Sequence, residues 1–598
     1  MKLRDHYLRL RRHFPQAEDG QALAVALDEL AGVLDCTHRN VTLLLKRMRA
    51  EGWIGWEPKR GRGSRSPLTF FCPLEEMLFS AARELVLRGD LQGALARLQT
   101  ADSGPGLQER FHRWLGGYFG HRSEVRGARR LDTLRFPLSQ QVASLDPAGT
   151  LFTADAHLVH QLFDPLLRYN RVTKTLSPHV AHAWEADLSR LRWTFHLRKG
   201  VLFHHGRELT ADDVCATFAR LRGRADGSLY GWVHRRIASV EAQDPVTVTF
   251  TLEEPCELLP QYLATTRASI VPAELSEQAD FSRNPVGTGP FRLSHLDETL
   301  CVLDAFPGYF QGRAHLDRVE LWHAPGLQEQ ERTRTLGSFQ LLHNYLLPVE
   351  DDAGSWHQVQ QQGATCRFLT FNLRKQGPLA SPVLREALCT ALHPAKVLER
   401  VGGDATYAAA SLVRGDAELP PQQTQDEVQP PEACLEALRR AGYAGERLVL
   451  CTIPQYERDA KLVQALLQET GWAVEVKLLG AEAFKSEQRL QADLLLFSMV
   501  LDNDAELRLV DLYKSMQRHL EPSAKEAVAA KISTLLGETE ALRREQLLLG
   551  TEEELRSRRL LHILYFKRLK TVYHASVRGI SLDSLEWVSF KDIWFQTR

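Results

Sequence analysis

DCTHRNVTLLLKRMRAEGWIGWEPKRGRGSRSPLTFF, residues 35–71, is the stretch on which the reading of this chain turns. Thr37 is placed to cap a helix that opens at His38. Val41, Leu44, Leu45 and Met48 recur at i, i+3, i+4 and i+7, so that helix buries one stripe and leaves Arg39, Asn40, Thr42, Lys46, Arg47 and Arg49 elsewhere on its surface. After Glu51-Gly52 the pattern shortens to an aromatic strand, Trp53-Ile54-Gly55-Trp56. The polar loop EPKRGRGSRSP (57–67) follows, and then Leu68-Thr69-Phe70-Phe71. Two short strands around a basic, glycine-bearing loop make a wing.

Upstream, Leu23, Leu27, Leu30 and Leu34 predict one helix, ended by Asp35-Cys36-Thr37. Leu3, Tyr7, Leu10 and Phe14 predict another, broken by Pro15 and Gly20. The pattern is that of a winged helix-turn-helix, whose second motif helix lies in the major groove of double-stranded DNA. His38, Arg39, Asn40, Thr42 and Leu43 then face base edges. Arg suits the O6/N7 acceptors of guanine and Asn the N6/N7 edge of adenine. Lys46 and Arg47 suit phosphates, as do Lys59, Arg60, Arg62 and Arg65 of the wing. A small α/β fold with a basic helix face is the competing reading. The coincidence of helix-turn-helix spacing, basic third helix and basic hairpin favours DNA.

Downstream, residues 74–118 read as a helical extension, packed on the head or forming a homodimer surface, and the arginine-rich 119–135 as a basic linker. From there short strands alternate with helices, which predicts a multidomain α/β chain with largely parallel pairing. The expected division is 1–73 winged helix-turn-helix, 74–118 extension, 119–135 linker and 136–598 body.

Composition agrees with two or more cored units: 598 residues, 44% hydrophobic and 25% charged. The net charge of -1 conceals an asymmetry. Residues 1–135 hold 23 Lys+Arg against 16 Asp+Glu, and the remainder 51 against 59. A basic front on an acidic body suits a head that meets nucleic acid. The nine cysteines stand singly, with no C-x-x-C, as expected of reduced thiols in a cytoplasmic protein. Neither an export-type apolar segment at the start nor a run of about 20 apolar residues appears, so no membrane association is expected. The signatures G-x-S-x-G, G-x-x-x-x-G-K-[ST] and H-E-x-x-H are missing, and the reading is of a non-enzyme without cofactor or metal. His204-His205 and Asp212-Asp213 raise a metal hypothesis, but a strand end and a helix N-terminus account for them better.

Longer motifs carry a resemblance. Leu145-Asp146-Pro147, HQLFDPLLRYN (160–170), Ala181, Trp184 and Asp187, WTFHLRKGVLFHHGRELTADDV (193–214), Pro285–Phe291 with its G-T-G-P turn, FNLRKQGPLASPVLREALCTAL (371–392) and LRRAGY (438–443) resemble the family 5 extracellular solute-binding proteins. The resemblance spans roughly 140–598. It implies two lobes with a ligand cleft between them, lobe I about 136–365 and 540–598, lobe II about 366–539. LDELAGVLDC (27–36), GWIGWEPKRGRGSRSPLTF (52–70) and the C-terminal Trp587, Phe590, Lys591, Trp594 and Phe595 extend it to the SgrR family of regulators. That family implies activation of a sugar-phosphate stress response, through a small regulatory RNA or nearby transport genes. It also implies a small-molecule ligand, a sugar phosphate or a peptide-like solute. The family's Asp-Arg after the second-lobe helix is replaced by His393-Pro394, which weighs against an ordinary peptide, and Arg374 is the one ligand-binding candidate. The alternative is a receptor of an ABC transport system with an N-terminal interaction module.

Overall fold

The protein is described from a computed structural model. The residues described are 2–59, 64–99, 105–138, 141–149, 153–170, 173–225, 228–275, 278–323, 341–343, 356–402, 406–414, 428–501, 504–580 and 589–596.

The head begins with α1 (Lys2–His13), which buries Tyr7 and Leu10; Phe14, just past its end, is buried too. The spacing of Leu23, Leu27, Leu30 and Leu34 predicts a single helix. Instead Ala22–Ala26 is a strand, β1, and the helix α2 is confined to Leu27–Leu34. The alternating small residues of ALAVA bury only Val25, and β1 finds a partner strand, so pairing overrides helical periodicity. Asp35, at φ 47° in the left-handed region, ends α2. The third helix, α3 (His38–Ala50), follows as read, with Thr37 accepting a hydrogen bond from the Asn40 amide. The wing strands are β2 (Ile54–Trp56) and β3 (Arg65–Phe70), in a three-stranded sheet of order β1-β3-β2.

Three helices, α4 (Leu74–Leu87), α5 (Leu91–Gln99) and α6 (Pro105–Tyr118), bury their apolar faces in the same core as α1–α3. The extension is thus part of the head rather than a separately cored unit.

Residues 119–135 are not a linker. They form β4 (Gly120–Arg126) and β5 (Arg129–Leu138), an antiparallel hairpin turning at Gly127 with φ +62°. β5 runs parallel to the strand Arg318–His323, within a five-stranded sheet. Leu134, Phe136 and Leu138 supply the buried face, while four of the arginines that suggest a linker, Arg122, Arg126, Arg129 and Arg130, occupy exposed positions of the pair.

The largely parallel pairing expected of the body is also not found. The four strands Ala181–Ala186, Arg192–Leu197, Ile237–Asp244 and Thr247–Leu252 pair antiparallel throughout. Among the described residues, parallel pairs are confined to β5 with Arg318–His323 and to Leu448–Thr452 with its two neighbours. Short connections such as Pro245-Val246 leave no room for a crossover.

Two long strands, Trp356–Phe371 and Leu561–His574, pair antiparallel with a register break between Gln360 and Ala364. The stretch Ala364–Phe371 also pairs with Leu494–Leu501. Lobe II therefore continues past 539: Leu564 and Tyr565 are buried with Leu369, Leu450 and Leu496, so the first half of the last long strand belongs to lobe II rather than lobe I.

The G-T-G-P turn interlocks lobe I. Thr288 donates to Asp164 at 2.8 Å, Tyr309 donates to the other oxygen of the same carboxylate at 3.0 Å, and His179 lies 2.6 Å from it. The Gly289 amide donates to the Leu162 carbonyl at 2.9 Å. A Cβ at Gly289 would lie 2.5 Å from the Leu162 carbonyl carbon and 2.6 Å from the Gln161 oxygen, both backbone atoms that cannot rotate away. Gly289→Ala is expected to destabilise the body by about 1–3 kcal/mol, read as a fall in the urea midpoint, through overpacking against a rigid neighbour.

Candidate nucleic-acid interface and solute cleft

On α3, Val41, Leu44, Leu45 and Met48 are buried, while His38, Arg39, Asn40, Thr42, Leu43, Lys46 and Arg47 are all exposed. His38 is engaged, its Nε2 2.7 Å from Asp28 of α2, and so ties the two motif helices together. The Thr42 hydroxyl donates to the His38 carbonyl at 2.8 Å, and the Asn40 amide lies 3.3 Å from the Cys36 sulfur. Arg39, Lys46 and Arg47 meet no carboxylate among the described residues. Leu43 is 55% exposed, an apolar side chain in the middle of this polar face. In the wing Lys59 and Arg65 are exposed, with the loop held by Lys59 N–H donating to Ser66 Oγ at 3.0 Å. Arg60 and Arg62 lie outside the described residues.

The head is seated on lobe I. Trp322 enters the head's core against Tyr118 at 5.8 Å and Phe119 at 6.5 Å between ring centroids. Arg135 lies over the Tyr118 ring at 4.3 Å and pairs with Glu320 at 2.8 Å. Thr299 donates to the Gly89 carbonyl at 2.9 Å, and Gln92 contacts His323 at 3.0 Å. At the chain's far end Phe595 stacks on His121 at 4.0 Å; Trp587 of the same motif lies outside the described residues.

A cavity of about 350 Å³ lies between lobe I, from which Leu229, Trp232 and Arg235 line it, and lobe II, from which Phe368, Phe484 and His519 do. Arg235, Lys485, Arg489, Arg508, Lys514 and Arg518 line it, against a single carboxylate among the described residues, that of Asp511. Burial pushes the Asp511 carboxyl up, while the Tyr230 amide that donates to it at 3.0 Å pulls it back. Burial, reinforced by Arg518, holds the Arg489 guanidinium down at about 10. Arg374 is not in this cavity: its side chain is 64% exposed and pairs with Glu487 at 3.3 Å. Sequence reasoning missed the cavity cations because Arg235, Lys485, Arg489, Arg508, Lys514 and Arg518 are scattered along the chain and share no motif. Of His204-His205 and Asp212-Asp213, the residues behind the metal hypothesis, His204 and Asp213 have structural partners. His204 spans the amide of Gly287 and the carbonyl of Gly289, and Asp213 caps its own helix and pairs with Arg207.

Two family matches cover most of the chain. Residues 2–119 match "Sugar transport-related sRNA regulator N-term", and residues 175–517 match "Bacterial extracellular solute-binding proteins, family 5 Middle". The transcriptional regulator SgrR of Yersinia pseudotuberculosis is 26% identical over 601 residues, 99% of this chain and 98% of its own. The chain belongs to the SgrR family. A second relative of this SgrR-family chain, the uncharacterized protein YhjP of Bacillus subtilis, is 30% identical over 99% of this chain and 100% of its own. The body has the fold of the periplasmic binding protein DppA of Helicobacter pylori, solved with the peptide STSA, at a TM-score of 0.65, 19% identity, and 78% and 98% of the two chains covered. SgrR-family architecture thus joins a transcription regulator's head to a solute-binding body. No helix among the described residues is long and apolar enough to cross a membrane.

Proposed function

We propose that this protein is a cytoplasmic, non-catalytic, ligand-responsive regulator that reads promoter DNA with α3 and senses a small metabolite in the interlobe cavity. The observation that carries the DNA half is the division of α3: its apolar stripe is consumed by the core, and every candidate reader, from His38 to Arg47, stays exposed. Arg39 and Asn40 sit in the first turn, where a groove-bound helix meets base edges, while Lys46 and Arg47 lie further along, toward phosphates. The wing's Lys59, Arg60, Arg62 and Arg65 add sequence-independent attraction to the backbone.

The cavity supports the sensing half. Its volume suits a small metabolite rather than an extended peptide. Closure of lobe II on such a solute would shift a population between open and closed forms.

Footprinting upstream of the protein's own gene tests the reading; no protected site, with or without metabolites, sinks it. Once a site is in hand, Arg39→Ala or Asn40→Ala is expected to weaken specific binding by about 1–3 kcal/mol and to relax preference at one base pair. Lys46→Ala should weaken specific and scrambled DNA alike and reduce the salt slope by about 1, measured by fluorescence anisotropy. Equal effects of both kinds of variant on all DNA would show that the assigned roles are wrong.

A further inference from the structure

Within the cavity one corner on lobe II is polar and buried. His519 lines it, is 2% exposed, and has no hydrogen-bond partner at either ring nitrogen among the described residues. Arg489 lines it too, is 8% exposed, and donates from Nη2 to Ser515 Oγ at 2.7 Å while its Nε has no partner. Arg518 and Lys485 flank them; both also reach outward, to Glu487 and Glu482 respectively. Buried donors without acceptors are costly, and an oxyanion is the ligand chemistry that satisfies guanidinium and imidazole N–H groups together.

The rest of the lining has a different character. Trp232, Phe368, Phe484, Phe497, Met499 and Leu512 face the same space, with Phe484 stacked on Phe497 at 5.3 Å between centroids. A polyhydroxyl ligand needs acceptors for its O–H groups, which sugar sites draw largely from carboxylates and side-chain amides. Among the described lining residues there is no Asn or Gln, and Asp511, the one carboxylate among them, is already held by the Tyr230 amide.

We infer that the interlobe cavity takes an amphipathic oxyanion, a phosphoryl or carboxylate group seated at Arg489, Ser515, His519 and Arg518 with an apolar or flat body against Trp232, Phe484 and Phe497, in preference to a polyhydroxyl phosphate. The inference rests on the reading of this cavity as the sensing site.

Calorimetric titration of the full chain tests it with five probes: phenyl phosphate, benzoate, inorganic phosphate, glucose 6-phosphate and phenol. Phenyl phosphate or benzoate is expected to bind at least about tenfold more tightly than inorganic phosphate, glucose 6-phosphate or phenol, and whichever of the two wins identifies the head group. Arg518→Ala and Lys485→Ala, both at partly exposed side chains, should each weaken that binding about tenfold, and Arg374→Ala, outside the cavity, should not change it. If glucose 6-phosphate binds as tightly as phenyl phosphate and loses affinity in the cavity variants, the preference for an apolar body is overturned while the sensing site stands. If probes bind but no cavity variant weakens them, the sensing site itself is misplaced and the inference falls with it. Binding of none of the probes also overturns the inference.

Discussion

Trp322→Ala is expected to cost about 3–5 kcal/mol, the range for removing a large aromatic side chain from a packed interior. Trp322 is a lobe I residue, 2% exposed, that packs edge-on to Tyr118 and Phe119 in the head's own core. The loss falls on the junction rather than on either unit's centre. What remains there is the Thr299 to Gly89 hydrogen bond, the Gln92 and His323 contact and the Arg135 stack on Tyr118. Calorimetry should show a head transition moving away from the body transition, and limited proteolysis should cut near Phe119. A variant that melts like the parent would mean that the head's seat does not depend on this plug.

Acidification provides the second large effect. Burial holds His519 down to about 3 and His234 and His562 to about 4, so all three are neutral in the folded protein near neutral pH. Their folded values lie below the unfolded value of about 6.5, so the unfolded chain takes up protons first. Stability is therefore complete above about pH 6.5 and is lost as pH falls toward 4. At 1.36 kcal/mol per unit, each histidine contributes on the order of 3 kcal/mol across that window. Asp155, raised by burial to about 6, titrates with the opposite sign and offsets about one histidine. Urea midpoints at pH 7.5, 6 and 5 should fall steeply, and His562→Gln should remove about one proton from the dependence. A flat profile over that range would show that these rings are hydrated in solution.

The head was legible because its signals are local. The α3 stripe, the Thr37 cap and the alternation around the wing loop each depend on residues a few positions apart. β1 was not, because ALAVA carries no intrinsic preference strong enough to announce a strand, and its partner β3 lies some forty residues away in sequence. The hairpin at 120–138 was hidden by composition: its arginines dominate, and the three buried side chains that fix its register are outnumbered. The cleft was the least legible of all. Trp232, Phe484, Arg489 and His519 are brought together only when two lobes meet, and no spacing along the chain records that encounter. The long solute-binding motifs, by contrast, report the insides of the lobes: Asp164 and Thr288, from two of them, converge with His179 and Tyr309 in lobe I, and Leu384, Leu388 and Leu438, from two others, are buried in lobe II. They identify the scaffold and are silent about the ligand.

The β4–β5 hairpin has a practical consequence for anyone building with this chain. Because the polypeptide passes from α6 straight into a sheet of lobe I, with no slack between them, the head is no detachable cassette. A cut at Phe119 would leave the hairpin on the body but take away the helix that feeds it, and would leave Trp322 bare to water. Grafting this reader onto a foreign receptor would therefore require transplanting the hairpin and its aromatic socket as one piece, and chimeras joined by soluble tethers should report on ligand poorly even where both halves fold.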